Sequence, residues 1–72
     1  SGDATDKLVQ QAIAMDTVVR DAVAENSLNP PNIEAAIRKG LLPLLFGTLG
    51  LDNAKLVVEQ VIQITRIGLG KA

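Results

Sequence analysis

Asn29-Pro30-Pro31-Asn32-Ile33-Glu34-Ala35-Ala36-Ile37-Arg38-Lys39-Gly40-Leu41-Leu42-Pro43-Leu44-Leu45-Phe46 is the stretch on which the fold turns. Two adjacent prolines cannot continue a helix. They can open one, because the N–H groups they lack find no intrahelical partner in a first turn. The pair therefore predicts a helix over about Pro31 to Lys39, with Ile33 and Ile37 on its buried side. Gly40 loosens the backbone, and Pro43 would meet the carbonyl of Lys39 in a straight helix. A bend near Gly40 to Leu42 follows, and then a short helix over about Pro43 to Leu49 carrying Leu44, Leu45 and Phe46. Ile33, Ile37, Gly40 and Leu44 stay in phase across the bend, so one kinked helix is the alternative.

Working outward, the segment before the prolines reads as a helix from about Thr5 to Glu25. Asp3 and Thr5 are the available N-caps, and Asp6 suits the positive end of the helix dipole. Leu8, Ala12, Met15, Val19, Ala22 and Val23 recur at helical spacing, with Asp6, Gln10, Thr17 and Asp21 opposite. Ile13 breaks the pattern by projecting among the polar residues. Asn26 and Ser27 end this helix. After the leucine run, Gly50 closes a turn and Asp52 is a good N-cap. A last helix is expected from about Asn53 to Ile67, stopped by Gly68. Its apolar arc is Ala54, Val57, Val58, Val61 and Ile64; its polar arc is Lys55, Glu59, Gln63 and Arg66. Its β-branched residues make a strand the competing reading, and the cap, the stop and the length favour helix. The expected fold is all-α: one small antiparallel bundle of three long helices plus one short helix, spanning residues 1–72 as a single domain.

Composition fits that class. The 72 residues are 47% hydrophobic, yet Phe46 is the only aromatic and there is neither Cys nor His. So apolar a chain is not disordered. Without disulfides or thiolate metal sites, helix packing or a partner must hold it. Net charge is −1, which draws the chain as a whole to neither nucleic acid nor anionic lipid. The acids concentrate before Asn29 and the bases after it. Apolar runs fall well short of the roughly 20 residues of a membrane span. Ser1-Gly2 reads as a cloning remnant and the chain as a segment of a larger protein. The absence of cysteine fits a cytoplasmic setting.

Candidate chemistry is sparse. The commonest general base and the best nucleophile are missing. Ser1 and Ser27 have no base nearby in sequence. Asp16 is the one carboxylate flanking an expected buried face, and an ion pair with Arg20 four residues on accounts for it. No acids show calcium-loop spacing. Gly47, Gly50, Gly68 and Gly70 read as helix punctuation, since no Lys-Ser or Lys-Thr pair follows a glycine-rich run. No catalytic, cofactor-binding or metal residue is expected, and no cofactor. Arg38, Lys39, Lys55, Arg66 and Lys71 could line a phosphate-contacting edge. Helix ends attract bases for dipole reasons as well, and the sequence has no aromatic to stack on bases beyond Phe46, which sits in an apolar run. DNA binding is expected to be weak and non-specific.

The leucine run from Leu41 to Leu51 is either the hub of the core or in part a docking knob. Leu56 and Ile67 pose a second question. They sit in the polar arc of the last helix, about three turns apart and along one edge. A helix apolar on two sides needs cover on two sides, either from its own bundle or from a partner. Leu45, Phe46, Leu56, Ile67 and Leu69 form the expected partner interface.

The stretch quoted first, continued by Gly50-Leu51-Asp52-Asn53-Ala54-Lys55 and Gln63-Ile64-Thr65-Arg66-Ile67-Gly68-Leu69-Gly70, resembles the C-terminal end of the motor subunit of type I restriction enzymes. Asp6-Lys7-Leu8-Val9 and Asp16-Thr17-Val18-Val19-Arg20-Asp21-Ala22-Val23 are similar to the helix leading into that end. The likeness lies in residue texture and order over about residues 3–71, and involves no active-site motif. It implies a helical tail docking the motor onto the methylase–specificity core, with the nuclease and translocase motifs far upstream. The expected function is thus a non-catalytic protein-interaction module whose partner is the methylase–specificity subunits or the rest of its own chain. A free-standing helical homo-oligomer and a DNA-contacting accessory domain are the alternatives. No membrane association is expected.

Overall fold

The computed structural model describes residues 2–70, all but a short turn and one joint in three helices: α1 Gly2–Glu25, α2 Pro30–Leu49 and α3 Leu51–Gly70. No strand occurs among these residues. Ser1 and Lys71, which entered the sequence reading as a cloning remnant and a basic residue, lie outside them.

The separate short helix is corrected. α2 runs unbroken from Pro30 through Pro43 to Leu49. The reason is visible in where Pro43 falls. Ile33, Ile37, Leu41 and Leu45 are buried at i,i+4 spacing on both sides of it, while Pro43 and Lys39 are exposed. The Lys39 carbonyl that loses its helical donor therefore sits on the outer side of α2, where water can serve it. Core packing along one continuous stripe outweighs the lost bond. The N-terminus of α2 follows expectation, with proline in the first positions and the Asn29 carbonyl accepting from Asn32 N (2.9 Å).

Gly50 alone joins α2 to α3. Its φ of 77° is the only positive one among the described residues. Its N–H donates to the Phe46 carbonyl (2.9 Å) and its carbonyl accepts from Ala54 N (3.0 Å). One glycine thus ends one helix and begins the next, in the left-handed region that side chains disfavour. Asp52 consequently lies inside the first turn of α3, where it complements the dipole, and is not its cap. Two other expected ends also move. α1 starts at Gly2, so Thr5 is interior, and α3 continues through Gly68 to Gly70. Glycine disfavours a helix by only about 1 kcal/mol, which does not by itself stop one.

Side-chain links fix the topology. Gln11 Nε2 donates to the Leu44 carbonyl (3.0 Å), and a Cβ on Gly40 would fall against Val18. Arg66 and Arg38 reach across from α3 and α2 to Glu34 and Glu59. Both outer helices therefore run antiparallel to α2. Each packs on α2, and among the described residues no α1 Cα comes within 8 Å of an α3 Cα. The core is Ala22 from α1, the α2 stripe, and Ala54, Val58 and Ile62 from α3, with Met15, Val18, Val19, Val57 and Val61 packed around it.

Candidate functional site

Two of the outer faces expected from periodicity are left uncovered. On α1, Gln11 sits beside Leu44 and Thr48, close to the end of α2. Ala4, Lys7 and Leu8 line an open hollow beside Thr48, and Leu8, Val9 and Ile13 are exposed. On α3 four of the five expected arc residues, Ala54, Val57, Val58 and Val61, lie in or against the core, while Ile64 is 67% exposed and Ile62 is buried in its place. Leu56, Gln60, Ile64 and Ile67 then share an outward edge, with no charge among them.

The expected interface residues separate. Leu45 is 4% exposed and belongs to the core, which removes it from any interface in this fold. The i,i+4 series from Ile33 through Leu41 ends on it, and that spacing was the signal in the sequence. Phe46 (55%), Leu56 (67%), Ile67 (50%) and Leu69 (43%) are exposed. They do not form one patch. Phe46 lies on α2 beside Arg38, Lys39, Leu42 and Pro43, while the other three lie on α3. Since Leu56 and Ile67 serve no core, Leu56→Gln with Ile67→Gln is expected to keep the thermal midpoint within a few degrees of the parent, each change being worth about 0.5 kcal/mol or less. A collapse of the circular dichroism melt in this double variant would contradict the α3 orientation.

The charged residues build a clamp. Arg38 pairs with Glu59 through both Nε and Nη2 (2.9 Å each), and Arg66 pairs with Glu34 through Nε (2.7 Å) and Nη2 (2.6 Å). Arg38 Nη2 also lies 3.8 Å from Glu34, and Arg66 Nη1 bonds Gln63 Oε1. Two-pronged arginine–carboxylate contacts tie α2 to α3 with defined geometry. Sequence reading gave Arg38 and Arg66 a dipole or solvent role. Their partners lie 21 and 32 positions away, so no local pattern reveals them. The Arg66 hydrogen bond holds the Glu34 carboxyl below the usual carboxylate range, and the Arg38 hydrogen bond does the same to Glu59; desolvation opposes both. A carboxyl lowered in the folded state stabilises the fold above its unfolded pKa, about 4.3 for Glu, and that stabilisation is lost as pH falls through the folded value. The thermal midpoint is therefore expected to be flat from about pH 6 to 8, with no histidine to titrate, and to fall below about pH 4.5. Glu34→Gln with Glu59→Gln should flatten that acid limb, and an unchanged limb would contradict the clamp.

Asp16 pairs with Arg20 (2.7 Å) on the exposed surface of α1. No polar or charged side chain is buried among the described residues, and no three His, Cys, Asp or Glu side chains gather as metal ligands there. No described helix is long and apolar enough to cross a membrane.

Comparison of the chain with protein-family signatures, curated proteins and solved structures finds no match. The functional reading accordingly rests on the surface itself.

Proposed function

We propose that the chain is a non-catalytic helical interaction module. The observation that carries this is the uncovered apolar edge of α3, Leu56, Ile64 and Ile67, on a bundle whose outer helices approach only α2. Large apolar side chains left in line on so small a domain favour burial against another surface. The sequence resemblance supplies a specific version: a C-terminal segment of a type I restriction motor subunit, cytoplasmic, docking onto the methylase–specificity core, in a parent protein that is an ATP-dependent endonuclease. The clamp supports protein over DNA as the partner, because Arg38 and Arg66 are engaged with carboxylates and few bases remain for phosphates.

Sedimentation velocity tests the reading, with the chain alone and mixed with a purified methylase–specificity core. The expected result is a monomer that co-sediments with the core and ceases to do so when Leu56→Gln and Ile67→Gln are introduced. A stable dimer of the chain alone, lost in the same double variant, would favour the homo-oligomer instead. Sub-micromolar, sequence-dependent binding to duplex DNA at physiological salt would favour the accessory-domain reading.

A further inference from the structure

A different surface from the α3 edge carries a partner chemistry of its own. Two adjoining hollows lie on the outer side of α2, and the second reaches its seam with α3. One, of about 470 Å³, is lined by Arg38, Lys39, Leu42, Pro43 and Phe46. The other, of about 280 Å³, is lined by Arg38, Leu42, Lys55, Val58 and Glu59. They share Arg38 and Leu42, and so form one furrow. Its floor is apolar: Leu42, Val58, Pro43 and the exposed ring of Phe46. Its charges are unequal. Glu59 is neutralised by the two-pronged Arg38 pair. Lys39 and Lys55 have no ion pair among the described residues, so the furrow carries a net positive rim.

We infer that this furrow binds an acidic amphipathic helix of a partner protein, with apolar residues over Leu42 and Phe46 and carboxylates toward Lys39 and Lys55. The inference rests on the interaction-module reading and adds a second contact to it. A groove between two packed helices is a common seat for a third, read through apolar anchors at i, i+3, i+4 and i+7. Exposed aromatics at such seats carry a large share of binding, and Phe46 is the only one in the chain. Opposite charge on the rim selects the partner and steers its approach.

The test is a displayed library of 18-residue amphipathic helices with a fixed apolar stripe and flanking positions varied among Glu, Gln and Lys, sorted against the full chain. The expected outcome is enrichment of glutamate at the flanks. The best clone should bind at least tenfold more weakly to Lys39→Glu with Lys55→Glu, and to Phe46→Ala, and more weakly as salt rises. Sorting against the charge-reversed protein should enrich lysine instead. All the altered residues are exposed, and far-UV circular dichroism checks that each variant stays helical. No enrichment, enrichment without glutamate, or binding indifferent to both sets of variants overturns the inference. So does a dimer of the chain abolished by Phe46→Ala, or duplex DNA that binds more tightly and displaces the peptide. If binding is lost only in Leu56→Gln with Ile67→Gln, the furrow is rejected while the module reading stands. If the furrow binds its peptide but the methylase–specificity core does not co-sediment, the specific docking reading fails alone.

Discussion

Leu41→Ala is expected to leave the chain largely unfolded at 37 °C. Leu41 is 0% exposed and lies mid-way along α2, the one helix that both others pack on. Removing a buried leucine side chain costs about 2–5 kcal/mol, the transfer of its carbons plus the cavity left behind. A single core in a domain this small rarely supplies more than about 3–5 kcal/mol in total. The two figures are of the same size, so little or no net stability remains. The site also has little means to collapse. Its neighbours Ile37 and Leu45 are fixed on the same helix stripe, and moving α1 inward to fill the gap would disturb its contact at Gly40. The measurement is a urea titration followed by far-UV circular dichroism, with Phe46→Ala as the control. That change removes a larger side chain, but from an exposed position, and should move the midpoint little. Comparable midpoints for the two variants would mean that Leu41 is not the centre of the core.

The prediction also shows what the sequence could reveal. Local chemistry marked the helix start after Asn29, the turn at Asn26 and the all-helical class, and put the start of the last helix two residues late, at Asn53. Periodicity showed which residues share a face. It could not show whether a neighbouring helix reaches that face. Leu8 and Ala12 belong to the α1 arc by spacing, yet both are exposed, and Gln11 between them is the residue that reaches α2. Ile64 belongs to the α3 arc by spacing, yet Ile62 is buried in its stead, on the side of α3 where Arg66 and Glu59 meet α2. Pairings across 21 to 37 positions, such as Arg38–Glu59 and Gln11–Thr48, are set by how helices meet and leave no trace in local spacing. Of the expected interface residues that prove exposed, Leu56 and Ile67 were legible as apolar residues in the polar arc, Phe46 as part of the leucine run and Leu69 as an apolar residue past Gly68. Leu45 was misassigned because a leucine run holds both core and surface positions, and only the i,i+4 phase separates them.

Gly40 is the position where sequence and structure assign different reasons to one residue. In the sequence it loosens a backbone about to meet Pro43. In the structure it lies inside α2 and faces Val18 of α1. A Cβ placed there would sit 2.5 Å from Val18 Cγ1 and 3.3 Å from Cγ2, well inside van der Waals contact. Gly40→Ala therefore sets two effects against each other. Alanine is favoured over glycine within a helix by about 0.5–1 kcal/mol. Overpacking a well-filled contact costs about 1–3 kcal/mol, and the atom in the way cannot swing aside easily, because a helical valine has one strongly preferred rotamer. The loss should win, with a net destabilisation of about 1–2 kcal/mol concentrated on the α1–α2 contact. Gly40→Val enlarges the clash and adds a branched residue to the helix, so it should release α1 while the clamped α2–α3 pair persists. Hydrogen exchange reads this directly: faster exchange over residues 11–25 with protection retained over residues 54–62. Val18→Ala removes both obstructing methyl groups and should restore much of the loss in Gly40→Ala, although it costs some stability in the parent, so the two changes are strongly non-additive. Additive effects, or a Gly40→Ala variant more stable than the parent, would show that α1 does not rest on α2 at this point.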